Sequence, residues 1–97
     1  MATKTQFDEA CRKVKRGTGL AEASRDEKLR LYGLYRRVVC GRCYDPIPLS
    51  MFVERCLKHS AWTKTNTMSV QDAMDEYVNR VNELEMKYQT RFEKLFK

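Results

Sequence analysis

The sequence predicts an all-α fold, a four-helix bundle filling one domain, and three observations carry that expectation. Only 4 Gly and 2 Pro punctuate 97 residues, too few breaks for many short strands. Apolar residues recur at steps of three and four in four separate stretches, the period of one helix face. Hydroxyl residues followed three positions later by an acid stand where three of those helices should begin.

The first helix is expected near Thr5, with Asp8 three positions on, and Phe7, Ala10, Cys11 and Val14 fall on one face. Gly17 should end it, and residues 17–24 form a connector. Ser24 with Glu27 makes the next cap, for a helix from about Arg25 to Cys40 that Gly41 stops. This second helix has two apolar stripes, Leu31-Leu34-Val38 and Leu29-Tyr32-Tyr35-Val39, which suits contact with more than one surface. Asp45-Pro46 and Pro48 make residues 42–49 a loop. Ser50 is placed to cap a third helix reaching about Lys64, with Val53, Leu57 and Ala61 inward and Phe52 and Cys56 beside them. Asn66 and Thr67 break the chain again. Ser69 with Asp72 opens the fourth and longest helix. Its seam runs Val70, Met74, Tyr77, Val81, Leu84, Tyr88, Phe92, Leu95.

Composition narrows the functional classes. A domain of this size buries only about 60–65% of its unfolded surface, so any ligand must lie in a groove lined by the core's own residues. Charged residues are 33% and hydrophobic ones 42% of the chain, a balance suited to a packed globule. No apolar run is long enough to span a bilayer. Neither end carries a signal-peptide or lipidation pattern. The expectation is a cytosolic monomer without stable membrane insertion, its four cysteines reduced. Of the net charge of +6, residues 1–64 hold 14 Lys/Arg against 7 Asp/Glu, and residues 65–97 hold 5 against 6. The basic surplus sits in the first two thirds of the chain and suits an anionic partner.

Catalysis finds little support. His59 is the only histidine, no motif sets a nucleophile beside it, and there is no glycine-rich phosphate loop. Cys40-x2-Cys43, twelve intervening residues and Cys56-x2-His59 outline a zinc clip. Cys40 at a helix end and the Gly41-Arg42 pair argue against a tight metal knuckle, so no metal is expected. A zinc-clipped interaction module and a basic nucleic-acid-binding bundle stay open as alternatives, as does a scaffold built on the long last helix. Tyrosines in helical seams usually pack in cores. Tyr32-Gly33-Leu34-Tyr35-Arg36-Arg37 departs from that pattern. Gly33 costs a helix about 1 kcal/mol against Ala, which points to a close approach there. Two phenols, two guanidinium groups and a bare backbone position together form a seat for a phosphorylated aromatic head group. The apolar seams leading away from it suit a hydrocarbon tail.

At these residues the sequence resembles the acyl-CoA-binding protein family. Three blocks carry the likeness: Phe7-x2-Ala10-x3-Val14; Leu29-x-Leu31-Tyr32-Gly33-x-Tyr35-Arg36 ending at Gly41; and Asp72-Ala73-Met74-x2-Tyr77-Val78-x2-Val81-x2-Leu84-x3-Tyr88, with Lys58 and Trp62 before the third. The likeness spans about residues 5–88, and residues 89–97 form a C-terminal extension. It implies an up-down-down-up bundle that binds long-chain acyl-CoA one-to-one without catalysis or cofactor. Such a protein serves as an intracellular carrier and pool, acyl-CoA-using enzymes being possible partners and nucleic acid not. By the same resemblance Tyr32, Arg36 and Lys58 would hold the ribose 3′-phosphate, Tyr35 would stack near the adenine, and Lys15 and Tyr77 would line the head-group site. Phe7, Val14 and Leu29 would shelter the acyl chain, and Cys11, Gly33 and Leu34 complete the ligand-lining set.

The chain departs from the family at several positions. Arg36 and Arg37 stand for a lysine and a glutamine, Glu54 for a lysine near the start of the third helix, His59 for an aromatic, and Cys11 for a small alanine. The connector before the second helix is longer and lacks a proline, and the 42–50 loop is unlike the common pattern.

Overall fold

The computed structural model describes residues 1–15 and 23–96, with side chains through residue 87. Four helices account for most of it: α1 (Lys4–Lys15), α2 (Arg25–Cys40), α3 (Val53–Thr63) and α4 (Val70–Phe96). No strand occurs among the described residues. The expected stop at Gly17, most of the 17–24 connector, and the side chains of Tyr88, Phe92, Leu95 and Phe96 lie outside the described residues.

Caps explain most of the boundaries. Ser24 Oγ accepts from the Glu27 amide at 3.2 Å, and Ser69 Oγ from the Asp72 amide at 3.0 Å. Gly41 closes α2 with φ 90°, its amide donating to the Arg37 carbonyl, a backbone conformation that suits only glycine well. Two starts differ from expectation. The box on α1 is Thr3-x-x-Gln6: Gln6 N donates to Thr3 Oγ1 at 3.2 Å, and Thr3 N to Gln6 Oε1 at 2.9 Å. Glutamine reaches back to the cap amide, whereas Asp8 is one methylene shorter. Ser50 does not cap α3. Pro46 and Pro48 hold the preceding chain out of helix, and a turn from Leu49 to Phe52 follows, Phe52 N donating to Leu49 O at 2.9 Å. The helix therefore starts at Val53 with no side-chain cap. Val53, expected inward, is 60% exposed, and Ala61 with Trp62 supplies the buried face of α3.

Pairings between helices fix their directions. Along α2, Arg30 meets Glu76 and Arg37 meets Met68, so α2 and α4 run antiparallel. On α1 and α4 the partners rise together, from Ala2 with Gln71 to Phe7 with Tyr77 and Lys13 with Glu85. On α2 and α3 they also rise together, from Tyr32 with Lys58 to Arg36 with Trp62. The bundle is up-down-down-up, with α2 packed on both α3 and α4 and α1 packed on α4.

The core lies between α1, α2 and α4, where Phe7, Ala10, Leu31, Leu34, Ala73, Tyr77, Val81 and Leu84 are buried. The α2–α3 contact is of another kind, backbone against backbone. A Cβ on Gly33 would lie 2.2 Å from the Ala61 carbonyl oxygen. Thr65, fully buried, donates to the carbonyls of Trp62 at 2.6 Å and Gly33 at 3.5 Å, tying the turn after α3 to α2. Arg30 and Arg80 both bind Glu76, and the Arg30 bond, foremost, holds that carboxyl below the usual carboxylate range.

Two outcomes follow from this packing. Gly33→Ala should lower stability by about 2 kcal/mol in urea titration, because the backbone collision outweighs the helix-propensity gain; a more stable variant would show that α3 yields freely. Glu76 has a depressed folded pKa, so its contribution is present above the unfolded carboxylate pKa and lost as pH falls through the folded one. Glu76→Gln should therefore unfold more readily than the parent at about pH 7, the gap closing at about pH 2. An unchanged gap across that range would remove the ion pair as its cause.

Candidate ligand-binding cleft

A cavity of about 360 Å³ opens where α1, α2 and the middle of α4 meet, within the usual range of about 300–1,000 Å³ for small-molecule sites. Cys11, Val14 and Lys15 of α1 form one wall, Lys28, Leu31, Tyr32 and Tyr35 of α2 the other, and Tyr77 of α4 lies between them. The lining is apolar and aromatic except for two ammonium groups. No salt bridge among the described residues engages Lys15 or Lys28. Burial pushes the Tyr77 hydroxyl far above its ordinary value, the adjacent Cys11 thiol adding to the effect. Cys11 is raised too, first by burial, with the Tyr77 hydroxyl and Lys15 working against it. Both groups stay protonated at neutral pH, so only cations bring formal charge to the lining.

Tyr32 joins this cleft to a cationic corner. Its ring lines the cavity while the Arg36 guanidinium lies 5.9 Å and the Lys58 ammonium 5.7 Å from its centroid. Arg36 also lies 4.5 Å from the Trp62 ring, an attraction of about 0.5–2 kcal/mol. Trp62 is itself fixed, its indole N–H donating to Gly41 O at 2.8 Å. Arg36 Nε is buried without a hydrogen-bond partner, so aromatic faces position this guanidinium and no carboxylate among the described residues neutralises it. Lys58 pairs with Glu54 at 3.4 Å on an open surface, a contact worth about 1 kcal/mol at most.

The residues singled out from sequence are distributed unevenly. Lys15, Cys11, Val14, Tyr32, Tyr35 and Tyr77 share the cavity, and Arg36 with Lys58 stands beside it. Phe7 is buried beneath, 6.4 Å from Tyr35 and 5.0 Å from Tyr77 between ring centroids. It buttresses the aromatic floor. Leu29 lines a different cavity, between α2 and α3 with Leu57 and Ala61, because it lies on the face of α2 turned towards α3. Leu34 has no exposed surface, and Gly33 faces the α3 backbone. The close approach read from Gly33 is real, and its occupant is Ala61. Arg37, the second guanidinium of the expected seat, is buried and donates through Nε to Met68 O at 3.0 Å. Sequence reasoning missed Lys28 and Leu31 as lining and Trp62 as the plate under Arg36. Lys28 was accessible to it, since Lys28, Tyr32 and Tyr35 follow helical spacing on one face.

The cysteines and His59 do not converge. Cys40 is exposed and Cys43 buried. The Cys56 thiol donates to the carbonyls of Pro48 and Leu49 at 3.5 and 3.4 Å, and His59 Nε2 lies 2.9 Å from the Asp45 carbonyl. No group of three metal-ligating side chains occurs among the described residues. Cys56 and His59 pin the 42–52 loop onto α3.

Residues 4–81 match the family model described as acyl CoA binding protein. The chain is 39% identical over 84 residues to an acyl-CoA-binding protein of Dictyostelium discoideum, covering 87% of this chain and 98% of that one. It is 34% identical over 85 residues to diazepam-binding inhibitor-like 5 of Mus musculus, covering 88% and 95%. The crystal structure of Oryza sativa acyl-CoA-binding protein 2 superposes with a TM-score of 0.80 at 27% identity, over 90% of this chain and 94% of that one. With the four helices in the expected order and directions, the chain belongs to the acyl-CoA-binding protein family.

Proposed function

We propose that this chain binds long-chain fatty acyl-CoA esters in the cleft between α1, α2 and α4, as a cytosolic, monomeric carrier and pool that does no chemistry on its ligand. One observation carries the reading: an apolar cavity shares the Tyr32 ring with a pair of cations. An acyl-CoA has that division, a hydrocarbon tail joined to a nucleotide with three phosphates.

Each part of the ligand has a counterpart. Arg36 and Lys58, across the Tyr32 ring, receive the ribose phosphate, and Tyr32 itself supplies a hydroxyl donor. Tyr35, 38% exposed over Phe7, offers an open ring face to the adenine. Lys15 and Lys28 offer charge to the remaining phosphates, and Val14, Leu31 and the protonated Cys11 and Tyr77 meet the apolar portion. Magnitudes show why both halves are needed. Ten methylenes gain about 8 kcal/mol on burial, whereas association costs about 4–15 kcal/mol. The head group therefore secures the complex, and free fatty acid binds far more weakly.

Calorimetric titration with palmitoyl-CoA should give one-to-one binding in the micromolar range or tighter. Protein that fails to bind while its circular dichroism reports an intact helical fold overturns the proposal. Lys58→Ala and Tyr32→Phe should each weaken the complex about tenfold with little change in stability; parent-like affinity in both moves the phosphate elsewhere. Glu54→Gln should tighten binding about two- to fivefold at low salt, since it releases Lys58 from its competing carboxylate. An unchanged affinity would take Lys58 out of the phosphate site.

A further inference from the structure

The segment joining α2 to α3 is pinned at its backbone and open at its side chains. Tyr44, Ile47, Leu49 and Met51 are 83%, 81%, 65% and 75% exposed, and Phe52 and Val53 continue the apolar surface. Six of the eleven exposed large hydrophobic residues described fall within these ten positions. Looseness is not the reason. Asn66 bonds both the amide and the carbonyl of Cys43, at 2.8 and 3.1 Å, and Arg42 Nε donates to Asn66 O at 3.0 Å. His59 holds Asp45, and Cys56 holds Pro48 and Leu49. The two prolines fix φ between those ties. Backbone groups at Cys43, Asp45, Pro48 and Leu49 are met from inside, and the apolar side chains are directed outwards.

The surface that fits this shape is a lipid bilayer. Side chains left about two-thirds or more exposed project beyond any groove wall, so they suit insertion better than reception of a partner helix. An aromatic-basic border accompanies them. Tyr44 has the apolar body and polar tip favoured at membrane interfaces. Arg55 lies 4.9 Å from the Phe52 ring centroid, keeping its charge beside the apolar tip. Residues 42–58 carry three Lys/Arg against two Asp/Glu, a net of +1, and one of those acids, Glu54, is paired with Lys58. That sign complements anionic head groups. We propose that residues 44–53 form a preshaped membrane-docking loop, which seats this chain reversibly on an anionic lipid surface through Ile47, Leu49, Met51 and Phe52, with Arg42 and Arg55 at the head groups.

None of residues 44–53 lines the cleft, so the proposal stands apart from its ligand. The test uses the whole chain without acyl-CoA and vesicles of phosphatidylcholine, with or without about 30% phosphatidylserine. The parent should co-sediment with the anionic vesicles more than with the neutral ones. Ile47→Ser/Met51→Ser, at exposed positions that leave charge and packing alone, should lose at least about tenfold in partitioning. Arg55→Gln should lose less, and only at low salt. The indole introduced by Tyr44→Trp should be quenched by bromine in the lipid acyl chains. A parent that stays in the supernatant, as a loop built for a protein partner would leave it, overturns the proposal. So does a double variant that partitions like the parent, or an unquenched indole. Titration of the same variants with palmitoyl-CoA reads the cleft separately and should match the parent.

Discussion

The missing side chain at position 33 lets α2 and α3 lie together with Gly33 under the Ala61 carbonyl, where a Cβ would sit 2.2 Å from that oxygen. Once the two backbones touch, the next turns have no freedom to separate. Trp62 is brought to Arg36 and hydrogen-bonds to the end of α2, and Lys58 comes to the Tyr32 ring. Thr65 closes the far side of the contact with its bonds to Gly33 and Trp62. A glycine that weakens one helix in isolation thus builds the cationic corner from two helices.

Tyr32 is where that corner meets the ligand cleft. The α2–α4 core sets the apolar half, with Leu31 and Tyr77 on facing helices, and Phe7 supports the floor from α1. The α2–α3 contact sets the charged half. A single ring touches both, so an amphiphile with a phosphorylated head can span them without rearranging the bundle. Arg36 suits this place because its planar guanidinium stacks on Trp62 with no carboxylate paired to it among the described residues. An ammonium at the same position would be a smaller, more strongly hydrated cation with less to gain from the ring.

Much of the fold was legible in the sequence. The bounds of α2, the caps at Ser24 and Ser69, and the four helices among the described residues come from local chemistry and the 3.6-residue period. Errors arose where two local signals competed. Thr3-Gln6 and Thr5-Asp8 both resemble capping boxes, and side-chain reach separates them. Ser50 resembles a cap, but the turn after two prolines uses that residue elsewhere. Six of the twelve proposed ligand residues gather in one cavity, and two more stand at its corner. Leu29, Gly33 and Leu34 do not, because a helix with two apolar stripes does not disclose which stripe faces which neighbour.

That this chain is all-α, with a basic first two thirds and a tyrosine pair beside arginines, can be read from its residues alone. Those properties depend on spacing within single helices and on composition. Which tyrosine face stays open and which arginine the core consumes depends on contacts between helices. Arg36 and Arg37 are adjacent in the chain, yet one is stacked on Trp62 and the other is tied to Met68 O. Helix packing also decides that Cys56 and His59 secure a loop whose apolar side chains point outwards. Each outcome turns on a residue from another helix or the far side of a loop, and local sequence carries no record of that neighbour's position.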